Sequence, residues 1–215
     1  MRPLIILRPE PGAGASAERA AAMGLEVRRL PLFEVRPLPW TAPDPSRFDG
    51  LLLTSANAVR HAGDGLARLS ALPVHAVGEA TAEAARQAGL RVVAVGSGGI
   101  ERMRLPTGAR LLHLAGRDHR DSEAAETIAV YEAAAVEYPA GLPGLDGSVA
   151  AVHSPRAGRR LAELAEVRSG TAIAAISPAA AQACGGGWER VESADRPADA
   201  SLLALAARLC EESGG

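Results

Sequence analysis

The chain has 215 residues, 47% of them apolar and only 3% aromatic, with 23 basic against 25 acidic side chains and a net charge of −2. That length supports one large or two small domains with real cores, and the apolar share excludes a disordered or fibrous chain. So few aromatics leave no stacking platform for nucleic acid, and so balanced a charge creates no field for a polyanion; an anionic ligand must be held by local groups.

Leu4–Leu7 reads as a buried strand ending in Arg8-Pro9. A Gly12/Gly14 turn then leads to an alanine-rich helix over about 15–23, stopped by Gly24, and residues 25–30 return as a strand. Phe33 to Arg36 alternates in strand fashion before Pro37, Pro39, Pro43 and Pro45, a cluster that marks a crossing segment. A buried strand at Leu51–Leu53 follows, with Thr54 and Ser55 at the joint to a helix expected over 56–69. After it come a strand at 74–77, a helix at 80–88 closed by Gly89, and a strand at 92–95. Gly96–Gly99 reads as a loop and 110–114 as a strand; 117–127 leaves room only for a short helix, and Ile128 to Glu132 extends toward Val136. Pro139, Gly141, Pro143 and Gly144 form the second boundary. Strand 149–152, helix 156–166, strand 172–176, helix 178–184, strand 189–191 and helix 199–211 complete the chain. Such alternation predicts parallel sheets with helices on both faces.

An internal repeat organises these elements. Val149-Ala150-Ala151-Val152-His153-Ser154-Pro155 copies the plan of Leu51-Leu52-Leu53-Thr54-Ser55, a strand running into a hydroxyl-capped helix, with Pro155 at the first helical position. Ser55 and Ser154 lie 99 residues apart (154 − 55), and the same offset carries Gly78 onto Ser177 and Arg91-Val92 onto Arg190-Val191. A helix start presents unpaired N–H groups and partial positive charge, so each copy offers an anion-binding point at a sheet edge. Residues 1–33 supply too few strands for a sheet of their own. We therefore expect a discontinuous domain of 1–35 and 138–215, an inserted domain of 39–128, and crossing segments at 33–38 and 129–137.

Cys184 and Cys210 match no metal or redox spacing, and Cys184 reads as core. The N-terminus lacks the pattern of a signal peptide and no apolar run suits a bilayer, so a cytoplasmic protein with no membrane partner is expected. Arg8 and Arg117 each follow a strand and suit forked contacts to carboxylates. His113 and His119 do not form a metal pair and read as structural or exposed.

In family order, Leu7-Arg8-Pro9, Asp49 through Val59, Val77-Gly78-Glu79-Ala80-Thr81-Ala82, Val130-Tyr131-Glu132, Ser154-Pro155-Arg156, Ala175-Ile176-Ser177-Pro178 and Pro197 through Leu202 resemble the uroporphyrinogen-III synthase family. The resemblance implies two flavodoxin-like or Rossmann-like α/β domains joined by a two-stranded ladder, with the active site in a cleft between them. It implies dehydrating cyclisation of linear hydroxymethylbilane, with ring D inverted through a spiro intermediate and no metal or organic cofactor. A monomer is expected, with transient contact to the preceding pathway enzyme. On this resemblance Tyr131 is the catalytic acid for the departing hydroxyl. Thr54, Ser55, Thr81 and Ser154, with the helix-start positions Ala56, Gly78, Pro155 and Ser177, hold acetate and propionate groups beside Arg8 and Arg117. The chain departs from the family pattern in lacking a helix between Val95 and Arg110, in a short stretch after Arg117, and in carrying Ala198 where Thr is frequent. Two rivals stand beside this reading. One is a dinucleotide-binding protein, from a partial Gly12-Ala13-Gly14 match; the other is a non-catalytic two-lobed module for an anionic small molecule.

Overall fold

The computed structural model describes residues 1–96, 103, 105–119 and 125–212. The chain divides into two compact units, Met1–Glu34 with Ala135–Gly215, and Val35–Ala134.

In the first unit, β1 (Leu4–Ile6), β2 (Val27–Arg29), β9 (Val149–Val152), β10 (Ala172–Ala175) and β11 (Arg190–Ser193) form an all-parallel sheet in the order β11-β10-β9-β1-β2. Its central strands are continuous apolar runs because both faces are covered. Leu4, Ile6, Val149 and Ala151 pack with Leu202, Leu203, Ala206 and Leu209 of helix α6 (Asp199–Glu211) and with Ala13 and Ala20 of α1 (Gly12–Ala22). Helices α4 (Pro155–Leu164) and α5 (Pro178–Ala183) pack against each other. Cys184, just past α5, is buried, its Sγ donates to the Ala180 carbonyl, and burial pushes its thiol up to about 11.

The second unit carries β3 (Phe33–Pro37), β4 (Gly50–Leu53), β5 (Val74–Val77), β6 (Val92–Gly96), β7 (Leu111–Gly116) and β8 (Ala125–Ala135) in the order β3-β8-β7-β4-β5-β6. Strands β4 to β8 run parallel. The Leu38 N–H donates to the Val130 carbonyl and the Val136 N–H to the Leu32 carbonyl. One chain number rises as the other falls, so β3 lies antiparallel to β8. The chain leaves the first unit within β3 and returns within β8. Leu51, Leu53, Leu112, Leu114 and Val130 form the core with Ala58 and Val59 of α2 (Ala56–His61) and Ala82 and Ala85 of α3 (Glu79–Gln87).

The 99-residue repeat has a direct structural meaning. Its copies are the triples β4-β5-β6 and β9-β10-β11, each laid down in the same spatial order. The second sheet ends in the antiparallel β3, and apart from it two more parallel strands extend each sheet from the first strand of the triple. In the second unit these are β7 and β8, which follow the triple in the chain, whereas in the first they are β1 and β2, which precede it. The two sheets share one spatial plan with different connectivity, and for this reason the offset holds only across the triple.

Three local expectations change. The helix expected over 56–69 is α only to His61; Gly63 takes φ +60, outside the helical region, and the rest winds as a 3-10 helix at Gly63–Leu69. Gly12 and Gly14 lie inside α1 rather than in a turn before it. A Cβ on Gly12 would run into the Arg8 guanidinium, so this glycine admits Arg8 against the helix. Residues 125–127, expected at the end of a short helix, already belong to β8, where Ala125, Glu126 and Thr127 pair with Leu111, Leu112 and His113. The loop expectation at 97–99, half of the stretch between Val95 and Arg110 and residues 120–124 of the expected short helix lie outside the described residues.

Candidate active site

In open parallel sheets, ligands bind beyond the carboxyl ends of the strands where the strand order reverses. That point falls between β1 and β9 in the first unit and between β4 and β7 in the second. The residues singled out from the sequence collect at the carboxyl ends of these strands or of their neighbours.

In the second unit, Thr54 leaves β4 and its Oγ1 lies 2.9 Å from His113 Nε2. Ser55 caps α2, its Oγ accepting from the Asn57 N–H at 3.2 Å, and Ala56 is the first helical residue. Gly78, at φ +86, sits at the N-cap of α3, and its carbonyl accepts from the Thr81 and Ala82 N–H groups. Thr81 is buried at 5% exposure. His113, on β7, is 3% exposed, and its Nδ1 lies 3.4 Å from Thr127 Oγ1. Burial, then the nearby His119, lowers its pKa to about 4, so the imidazole is neutral at ordinary pH.

Tyr131 is placed by an irregularity in the sheet. Ala115 pairs with Ala129, but Gly116 pairs with Tyr131, so Val130 is an extra residue on β8. This bulge turns successive residues toward one side: Val130 enters the core and Tyr131 packs against the same cluster. The phenol lies directly over Gly116, where an added Cβ would sit 2.7 Å from Cζ and 3.0 Å from the hydroxyl oxygen. The Arg117 N–H donates to the Tyr131 carbonyl at 2.8 Å, and the Arg117 guanidinium pairs with Glu132 at 2.6 Å. The His61 ring, kept below its ordinary pKa by burial and by Arg60, lies 6.3 Å from the Tyr131 ring.

In the first unit, Ser154 caps α4 through the Ala157 N–H at 3.1 Å with Pro155 at the first turn, and Ser177 caps α5 through the Ala180 N–H at 3.3 Å. Arg8, beyond β1, contacts Ser16 at 3.3 Å and Asp199 at 3.2 Å. Asp199 is a hub that sequence reading missed. Its Oδ1 also accepts from Ser16 at 2.7 Å and bonds His153 Nε2 at 2.9 Å, while Oδ2 accepts two bonds from Arg19. Burial alone would raise this carboxyl, but bonds from Ser16, His153 and Arg19 outweigh it and hold it at about 2. Arg8 and Arg117 are thus each already paired with an acid, so both are fixed in direction before any ligand arrives. The available signal for the hub was an acid opening the last helix, a position any helix favours.

A cavity of about 350 Å³, lined by Arg47, Phe48, Arg110, Leu111 and Glu126 among others, opens at the amino ends of β4, β7 and β8, the end opposite these residues. Among the described residues no group of three or more His, Cys, Asp or Glu is placed to hold a metal ion, and no helix is long and apolar enough to cross a membrane.

Two doubly wound sheets on one chain, one all-parallel and the other parallel except for its edge strand β3, with hydroxyl-capped helix starts at their carboxyl edges, define a two-domain α/β protein whose strand ends offer points for anionic groups. The family model described as uroporphyrinogen-III synthase HemD matches residues 14–204, and the chain belongs to that family of cyclising lyases. Among solved structures, the uroporphyrinogen-III synthetase of Helicobacter pylori is similar at a TM-score of 0.69 and 19% identity, covering 97% of this chain and 100% of that one. A mutant uroporphyrinogen III synthase of the extremely thermophilic bacterium Thermus thermophilus is similar at a TM-score of 0.51 and 19% identity, covering 98% and 100%. No curated protein matches the chain.

Proposed function

We propose that this chain takes hydroxymethylbilane to uroporphyrinogen III, releasing one water as the macrocycle closes with ring D inverted. The observation that carries this reading is the family match over 14–204. The seating of Tyr131 supports its part in the chemistry. The bulge and Gly116 hold the phenol in one place at the carboxyl end of β7, as an acid needs if it is to meet a departing hydroxyl within hydrogen-bond reach. In this reading Tyr131 donates that proton. Loss of water leaves an electrophilic terminal methylene, which the substituted α-carbon of ring D attacks to form the spiro intermediate. The bond from that carbon to its original bridging methylene then breaks. This methylene bonds the free α-carbon of ring D, whose released proton restores the phenol.

The substrate is rich in carboxylates while the chain's net charge is −2, so its binding rests on local donors. We assign that task to Thr54, Ser55, Ala56, Gly78 and Thr81 in the second unit and to Ser154, Pro155 and Ser177 in the first. Arg8 and Arg117 supply charge. The pairing of each with an acid supports a guide for substrate carboxylates already fixed in orientation. The protein works as a monomer in the cytoplasm, a reading supported by both units residing on one chain and by a polar substrate. Because free bilane closes unaided to the type I isomer, direct transfer from the preceding enzyme suits this chemistry. Family membership favours an enzyme over the non-catalytic module.

The test is isomer analysis of porphyrin formed from freshly generated bilane. Type III product that scales with added protein, and is largely lost in Tyr131→Phe with an unchanged melting curve, is the expected result. Type I product alone from folded wild-type protein refutes the activity, and wild-type turnover in Tyr131→Phe removes the phenol from the mechanism.

A further inference from the structure

We propose that His113 is a positioning residue for substrate binding, its ring holding the Thr54 hydroxyl so that the hydroxyl proton points outward as a donor to a substrate carboxylate. The inference rests on the functional reading above, and it concerns a residue whose position in mid-strand, and 3% exposure, would otherwise mark it as core.

The geometry comes from the register of the sheet. Leu52 of β4 pairs with His113 of β7, and His113 pairs with Thr127 of β8, so these side chains share one face of the sheet at one level. Thr54, two residues beyond Leu52, returns to that face at the strand end. The imidazole spans two hydroxyls there, Thr54 through Nε2 at 2.9 Å and Thr127 through Nδ1 at 3.4 Å.

A neutral imidazole has one donor and one acceptor, so the two tautomers present Thr54 differently. With the proton on Nδ1, the ring donates to Thr127, Thr54 spends its own proton on Nε2, and only lone pairs remain to face outward. With the proton on Nε2, the ring donates to Thr54, Thr127 donates to Nδ1, and the Thr54 proton is free. A carboxylate accepts but does not donate, so it binds the second arrangement and selects it. Burial keeps the ring neutral, which is what allows the exchange of roles.

The experiment measures type III formation against bilane concentration for wild type, His113→Leu, His113→Gln, Thr54→Val, Thr127→Val and the Thr54→Val/His113→Leu double variant. Thr54→Val and His113→Leu are each expected to raise KM about tenfold with kcat little changed, the loss of one charge-assisted hydrogen bond. The double variant is expected to be no worse than Thr54→Val alone, because His113 acts through that hydroxyl. His113→Gln, whose amide can donate from near the Nε2 position, is expected to recover most of the affinity. Thr127→Val, which leaves Nδ1 without its donor, is expected to raise KM about two- to threefold and carries the test if His113→Leu melts early. Wild-type KM in His113→Leu or in Thr127→Val, or multiplying effects in the double variant, would overturn the proposal. Wild-type protein yielding only type I product is a separate failure, visible before any variant is made, and would remove the functional reading and this proposal with it.

Discussion

Gly116→Ala isolates the position of the Tyr131 phenol from its presence. A Cβ at residue 116 would lie 2.7 Å from Tyr131 Cζ, 2.9 Å from Cε2 and 3.0 Å from the hydroxyl oxygen. Carbon atoms rest at about 3.5–4.0 Å, so the ring must withdraw by roughly 1 Å. A displacement of that size at a reacting group costs about 10²-fold in rate. Overpacking of this kind costs about 1–3 kcal/mol, and each kcal/mol lowers the melting temperature by roughly 4–8 °C in a unit of this size. The assay is the initial rate of type III product, read beside the thermal melt of each variant at a temperature where all are folded. We expect kcat to fall about 100-fold with KM held, and Gly116→Ala/Tyr131→Phe to be no slower than Tyr131→Phe alone. Wild-type kcat in Gly116→Ala while Tyr131→Phe is inactive would refute the argument that the bulge and the missing Cβ set the phenol. Multiplying losses in the double variant would refute it equally.

Two further outcomes test the electrostatics. Asp199→Asn removes the charge shared by Arg8, Arg19, Ser16 and His153, and is expected to cost about 2 kcal/mol in urea unfolding monitored by circular dichroism. His113 has a pKa of about 4 in the fold against an ordinary 6.5, so the unfolded chain binds the extra proton. Stability is therefore full above pH 6.5 and declines as pH falls from 6.5 toward 4, by up to about 1.4 kcal/mol per unit from this residue. His61, His75 and His153, shifted down mainly by burial, act in the same sense, and Asp199 adds its own loss only as pH drops from about 4 to 2. Melting temperatures across this range should flatten between pH 6.5 and 4 in His113→Leu relative to wild type; parallel curves would contradict the shift.

The sequence by itself carried the elements whose signals are local. Leu51–Leu53 and Val149–Val152 read as buried strands because both faces of a parallel sheet demand apolar side chains, and Ser55, Ser154 and Ser177 announced helix starts because a hydroxyl there answers an unpaired N–H. The 99-residue offset was visible because β4-β5-β6 and β9-β10-β11 keep one spacing as well as one order. What the tertiary structure decided depends on pairing between distant strands. The bulge that seats Tyr131 arises from the register of β7 against β8, and nothing in Ala129-Val130-Tyr131 distinguishes it from an ordinary strand. His113 meets Thr54 across 59 residues and Asp199 meets Arg8 across 191. Such contacts leave no period or spacing in the chain, because sheet order and register, not sequence neighbourhood, determine which side chains share an edge.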